Sequence, residues 1–214
     1  MRRHLPILIS GVLLGLFGVL GAGLVGLSHE GTAERIALNE REALLHQIHV
    51  LVPPEQIDNN MLNDVIEISS PEALGVEKTR VYLGRREGKP VAAVLSPIST
   101  PGYAGPIQLI VAVRFDGTLA GVRVLSHRET PGLGDKIEAE RSDWILGFAG
   151  KSLLDPRPSD WQVKRDGGVF DQFTGATVTP RTIVRGVKSA LEYFGENRLY
   201  LFEAGQKKED QDNG

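Results

Sequence analysis

The chain contains no cysteine in its 214 residues. It therefore has no disulfide, no thiolate-held iron–sulfur cluster and no cysteine nucleophile, so any redox role needs an organic cofactor. Basic residues form no block either, and the formal net charge of -3 is spread along the sequence. Little is left for the counterion release through which proteins bind nucleic acid, which excludes nucleic acid as an expected partner. No internal repeat is present. Length and apolar content suit one globular domain with appendages.

A third absence is local. From Leu5 to Leu27 there is no Asp, Glu, Lys or Arg, and a helix over that run, at about 1.5 Å per residue, reaches roughly 34 Å and spans a bilayer. Arg2 and Arg3 precede the run while Glu30 and Glu34 follow it, so the positive-inside bias puts the start in the cytoplasm and the remainder outside. A cleaved signal peptide is the competing reading. Its apolar region is usually about 7–15 residues long and ends in an Ala-x-Ala-like site, and neither feature fits. Gly11 and Gly15 are four apart, as are Gly18, Ala22 and Gly26. Small residues at that interval offer a helix face that a neighbouring membrane helix can approach.

Glu34 to His49 reads as a second helix with Leu44, Leu45 and Ile48 on one side and a stop at Pro53-Pro54. His46 and His49 lie three apart on it, but no third metal ligand is evident. Between Thr79 and Ser126, short apolar runs broken by turns predict an antiparallel sheet with strands over Val81 to Leu83, Val91 to Leu95, Ile107 to Phe115 and Leu119 to Leu125. Arg86-Glu87-Gly88-Lys89 and the two-residue turn Asp116-Gly117 supply hairpin signals. A helix over Lys136 to Phe148 is expected to bury Ile137, Trp144, Ile145 and Phe148. A final helix starts at Pro180, buries Ile183, Val184, Val187, Leu191 and Phe194, and ends at Gly195. The expected organisation is a cytoplasmic start and anchor over 1–28, a linker helix and connecting segment over 29–78, an α+β domain with flanking helices over 79–204, and a disordered tail over 205–214.

The stretch that points to chemistry is Asp171-Gln172-Phe173-Thr174-Gly175-Ala176-Thr177-Val178-Thr179-Pro180. Thr179 before Pro180 suits a helix start, because a hydroxyl caps free N–H groups and proline fits the first turn. The loop ahead of it then faces the positive end of a helix, where a phosphate gains from the dipole and the unpaired amides. On residue types alone the loop reads first as no more than a capped turn, with a phosphate site as the second reading. Gly-Leu-Gly-Asp-Lys-Ile, from Gly132, lacks the third glycine of a dinucleotide fingerprint.

Asp171, Thr174, Gly175, Ala176 and Thr177 match the pattern Asp-x-x-Ser/Thr-Gly-Ala-Ser/Thr, which resembles the flavinylation motif of the FMN-binding domain family. His127-Arg128-Glu129-Thr130-Pro131-Gly132-Leu133-Gly134 is similar to that family's second loop, which lies beside the flavin. With the single N-terminal span, nearly the whole chain resembles the RnfG family, the G subunits of Rnf electron-transport complexes. A similar domain occurs in the C subunits of sodium-pumping NADH:quinone reductases, which are usually longer. The resemblance implies FMN joined through its phosphate to Thr177 by a separate flavin transferase. Asp171 would belong to the recognised acceptor motif, Thr130 and Leu133 would border the ring, and Gly175, Ala176, Val178 and Thr179 would surround the phosphate and ribityl chain. It further implies an electron carrier with no separate substrate site, assembled with other subunits in a bacterial inner membrane, its soluble domain on the periplasmic side. His127 is a candidate donor to the flavin, and Lys164 and Arg165 are candidates to balance the phosphate. The other readings are a threonine nucleophile, for which Asp171 is the only base in the motif, and a membrane-anchored scaffold without redox work.

Overall fold

The structure, a computed structural model, describes residues 5–212. It divides into two units, residues up to His46 and residues from Gln47 onward. The described residues of the first unit, from Leu5, are all helical and belong to α1 (Leu5–Leu51). Between Ile9 and Gly26 this helix is apolar on every side and long enough to cross a membrane. Val12, Leu14, Phe17 and Val19 are all exposed. A helix apolar all round has to bury that surface in lipid or in another protein. The anticipated break before Glu34 is not there. The joining residues hold no proline, and the lone Gly31 costs only about 1 kcal/mol against alanine. α1 stops at Leu51 because Pro53 forces Val52, the residue before it, out of helical geometry.

The second unit is built on a six-stranded antiparallel sheet: β1 (Val65–Ser70), β2 (Val76–Arg86), β3 (Lys89–Leu95), β4 (Ile98–Ser99), β5 (Ile107–Arg114) and β6 (Leu119–Ser126). One helical turn, α2 (Pro71–Leu74), joins β1 to β2. β5 pairs with β3 through Leu95↔Val111 and with β4 through Ile98↔Gln108, so β4 continues the β3 edge in the same register. Pro97 between them has no N–H to give the ladder. All four predicted strands are present. β1 and β4 are additional, the first lying in the stretch read as a linker.

Both predicted hairpins form. Glu87 (φ 51) and Gly88 (φ 71) are both left-handed, as the tight turn between β2 and β3 requires. Between β5 and β6 the turn closed by Arg114 and Thr118 has three residues, Phe115 to Gly117, rather than two. Gly117 N–H donates to Arg114 O at 2.9 Å and Arg114 N–H to Thr118 O at 2.8 Å, with Gly117 at φ 92. Asp116 favours this longer form by accepting the Thr118 amide (2.8 Å) and hydroxyl (2.7 Å), which also hold its carboxyl below the usual range.

α3 (Val178–Asp212) lies on one face of the sheet. Ile183, Val184, Val187, Leu191 and Phe194 are buried as predicted, against the inward face formed by Leu83, Leu95, Leu109, Val111 and Val113. The helix runs through Gly195, because Leu201 and Phe202 give it another buried turn. Its backbone stays helical to Asp212, over most of the stretch expected to form a tail. Arg85 holds the Phe202 turn: its guanidinium pairs with Asp64 at 2.7 Å and donates to Phe202 O at 2.8 Å. The opposite face of the sheet is covered by Leu51 over Gly121 and by Ile57 and Met61 over Gly84. The helix expected over Lys136 to Phe148 is two 3-10 turns, Asp135–Ile137 and Asp143–Phe148. Ser142 separates them by capping the second, its hydroxyl accepting the Trp144 amide at 3.3 Å. Ile137, Ile145 and Phe148 are fully buried all the same, and Trp144 is half-buried.

Candidate functional site

Two glycine turns meet at one end of the sheet. After β6 the chain turns through Thr130-Pro131-Gly132-Leu133, where Leu133 N–H donates to Thr130 O at 3.1 Å and Gly132 has φ 79. Proline second and a left-handed glycine third are what a type II turn requires. The second turn is Phe173-Thr174-Gly175-Ala176, with Ala176 N–H on Phe173 O at 3.2 Å and Gly175 at φ 83. A Cβ on Gly175 would touch Leu133 Cδ2 at 3.4 Å, so the tips of the two turns are in contact range. Phe173 anchors its turn in an aromatic cluster, packed edge-on against Trp144 at 5.1 Å between centroids.

α3 begins immediately after the second turn. Its first helical residue is Val178, and Thr177 occupies the cap position, its carbonyl accepting the Arg181 amide at 3.4 Å. The expected cap, Thr179, lies two residues further in and is fully buried. Pro180 follows within the first turn, where its missing N–H costs nothing. The Thr177 side chain is half-buried, and its hydroxyl has no hydrogen-bond partner among the described residues. First-turn amides have no acceptor within a helix. The cap hydroxyl thus stands beside unpaired donors and the positive end of a 35-residue helix.

Thr179 is used differently. Its hydroxyl donates to Glu129 Oε2 at 2.5 Å, while Glu129 Oε1 accepts the Ala104 amide at 3.1 Å. One carboxylate thereby joins the loop after β6, the start of α3 and the loop before β5. A cleft of about 280 Å³ opens among these segments, lined by Tyr103, Glu129, Thr130, Leu133, Gly134, Gly175 and Ala176. Four of the residues picked from sequence (Thr130, Leu133, Gly175 and Ala176) are gathered there. Thr174, Thr177 and Val178 flank the cleft in the chain without lining it. Tyr103, 73% exposed, carries no motif that would single it out. Glu129 is visible in the sequence as the acid opening Glu-Thr-Pro-Gly-Leu-Gly, but its reach into two other loops is not.

Other candidates have partners of their own. Asp171 is exposed and paired with Lys164 at 2.6 Å, while its carbonyl accepts the Trp144 indole N–H at 2.8 Å. Asp166 takes two hydrogen bonds from Arg181, at 2.6 and 2.8 Å. That guanidinium holds the Asp166 carboxyl below its ordinary range and raises Arg181 in turn. The Glu129 amide donates to His127 Nδ1 at 3.0 Å, so the ring proton is on Nε2, which meets Glu138 Oε1 at 2.6 Å. Both nitrogens of His127 are therefore engaged within the protein. Among the described residues no group of three or more potential metal ligands gathers.

Comparison with known proteins agrees with this geometry. A family model described as the FMN-binding domain matches residues 102–192, a range that contains both turns, the cleft and the first turns of α3. A second, described as the RnfG N-terminal region, matches residues 1–51. The G subunit of the ion-translocating oxidoreductase complex of Pseudomonas aeruginosa is 48% identical over 193 residues, 90% of each chain. The proteins of the same name from Pseudoalteromonas atlantica and Shewanella oneidensis are each 43% identical, over 199 and 198 residues, covering 92% of this chain and 93% of theirs. The chain carries an FMN-binding domain and belongs to the RnfG family, the G subunits of ion-translocating oxidoreductase complexes.

Proposed function

We propose that this chain is a membrane-anchored electron carrier whose FMN is joined by a phosphoester to Thr177 Oγ1. The observation that carries the reading is the state of that hydroxyl: it has no partner among the described residues, belongs to the residue at the cap position of α3 and stands next to amides that the helix cannot satisfy. A phosphate joined there would lie at the favourable end of the dipole, and Gly175 lets the backbone come close. The residues fit the rest of the nucleotide as well. The 280 Å³ cleft is slightly smaller than the usual range of small-molecule sites, about 300–1,000 Å³, so it would take the flat ring rather than a whole nucleotide, with Tyr103 and Leu133 among the residues that would hold it. Bound FMN supplies reversible one- and two-electron exchange, while the protein supplies placement and polarity.

Attachment forms the Oγ1–P bond at the flavin phosphate as the transferase breaks that phosphate's phosphoanhydride bond in an activated flavin dinucleotide donor; the hydroxyl proton and the nucleoside monophosphate leave, and the chain gains FMN less one water. Among the described residues no base touches Thr177, and Asp171 is tied to Lys164, so a separate flavin transferase supplies the activation. These same facts argue against a threonine nucleophile acting in turnover. Arg2 and Arg3 ahead of the apolar span, with Glu30 and Glu34 behind it, support a single-pass topology with the flavin domain on the periplasmic side of a bacterial inner membrane. There it would exchange electrons with other subunits of an ion-translocating complex, coupling ferredoxin and NAD chemistry to ion movement.

The test is a denaturing gel of membranes from cells that contain the transferase. A fluorescent band at the mass of this chain, lost in Thr177→Ala, is expected. No band in the wild type, or a band that survives in Thr177→Ala, defeats the assignment.

A further inference from the structure

Glu129 is only 5% exposed. Its carboxylate accepts two hydrogen bonds, from Ala104 N–H and the Thr179 hydroxyl, yet among the described residues no Lys, Arg or His forms an ion pair with it. Burying a charge without a counter-ion costs stability. The surrounding chain nevertheless makes room for it. A Cβ on Gly134 would lie 2.8 Å from Glu129 Cβ and 2.9 Å from Oε2, and one on Gly102 would lie 2.8 Å from Oε1. The side chain forms part of the cleft wall, on the loop that also carries Thr130.

From these observations we infer that Glu129 is the positioning residue of the cofactor site. Its carboxylate ties the Tyr103 loop and the first turn of α3 to the loop after β6, and it puts a fixed negative charge on the cleft wall that disfavours the reduced, electron-rich flavin. The second half rests on the reading that FMN occupies this cleft. The first half concerns the protein alone. The two parts separate chemically. Glutamine keeps the shape: its oxygen accepts the Ala104 amide and its NH2 donates to Thr179 Oγ1, so the loops stay joined while the charge is gone. Alanine removes both the charge and the tie.

The experiment uses the full chain from membranes of cells that contain the transferase, as wild type, Glu129→Gln and Glu129→Ala. Hydrogen exchange at the Ala104 amide is read by mass spectrometry, and the flavin by spectroelectrochemical titration. Glu129→Gln should leave Ala104 exchange near wild type and shift the oxidised–reduced equilibrium about tenfold toward the reduced form, roughly 30 mV for a two-electron couple. Glu129→Ala should accelerate Ala104 exchange at least tenfold. A potential that is unchanged or lower in Glu129→Gln overturns the electrostatic half, and unchanged exchange in Glu129→Ala overturns the tie. Should wild-type chain carry no flavin at Thr177, the parent reading and the electrostatic half fall together. Exchange in flavin-free Thr177→Ala, with and without Glu129→Ala, still decides the tie.

Discussion

Substituting alanine at Gly134 and at Gly147 should have opposite effects on stability, although both are ordinarily mild changes. Gly134 has φ -90 and ψ -18, a conformation alanine prefers. In open space Gly134→Ala would stabilise the chain by about 0.4–1 kcal/mol, by restricting the unfolded state. The added methyl, however, meets Glu129 Cβ at 2.8 Å, Glu129 Oε2 at 2.9 Å and Thr179 Oγ1 at 3.2 Å. None of these atoms is the free end of a flexible side chain, since Ala104 and Thr179 hold the carboxylate from both sides. Overpacking of this kind costs about 1–3 kcal/mol, so the net effect is a loss centred on about 1 kcal/mol and reaching at most about 2.6 kcal/mol. Gly147 lies in the second 3-10 turn with nothing within 4 Å of its would-be methyl, so Gly147→Ala should gain a few tenths to about 1 kcal/mol. Urea unfolding of the full chain in detergent, followed through Trp144 and Trp161 fluorescence, reads both, provided the slopes match. In thermal melts 1 kcal/mol corresponds to about 2–4 °C for a unit of this size. If Gly134→Ala is as stable as the wild type or more so, the packing around Glu129 is not as described and the reasoning fails.

Three further outcomes follow from the same geometry. Asp64→Ala leaves Arg85 buried without its partner, both side chains being under a tenth exposed, and should cost about 3–5 kcal/mol in the same urea assay. Gly175→Ala should cost about 1–2 kcal/mol for its left-handed φ of 83. Gly175→Asn should cost less, because asparagine tolerates that region; equal costs would point to a clash instead of backbone conformation. The Asp166 carboxyl is held below its ordinary 3.8, first by the hydrogen bonds from Arg181. Its contribution is present above the unfolded value and disappears as pH falls through the lower folded one. Carboxyl NMR titration of Arg181→Gln should return the Asp166 midpoint toward 3.8, and an unmoved midpoint would contradict the pairing.

Features written locally in the sequence are legible there. The charge-free run from Leu5, the stripe of Ile183, Val184, Val187, Leu191 and Phe194, the four long strand segments and the Glu87-Gly88 turn each depend on neighbours a few positions away. Expectation and structure part where distant contacts decide. β4 has only two residues and exists because it continues the β3 register along β5. α3 outruns Gly195 because Leu201 and Phe202 find cover. The stretch over Lys136 to Phe148 buries Ile137, Ile145 and Phe148 as predicted, with Trp144 half-buried, while forming 3-10 turns, since burial periodicity does not distinguish a helix from turns that bury the same side chains. At the site, Thr179 reads as the cap because Thr-Pro is a good local start. A bond to Glu129, 50 residues away, draws it into the helix and leaves Thr177 at the cap. Tyr103 joins the cleft through a loop that the carboxylate holds from another segment, and spacing carries no trace of such a contact.

The proposed function stands or falls on one oxygen atom, Thr177 Oγ1. Intact-mass and tandem mass spectrometry of the chain purified from native membranes address it directly. The expected result is a gain equal to FMN less one water, retained on the peptide that contains Thr177. An unmodified Thr177 peptide, or the same added mass on a peptide without Thr177, would contradict it.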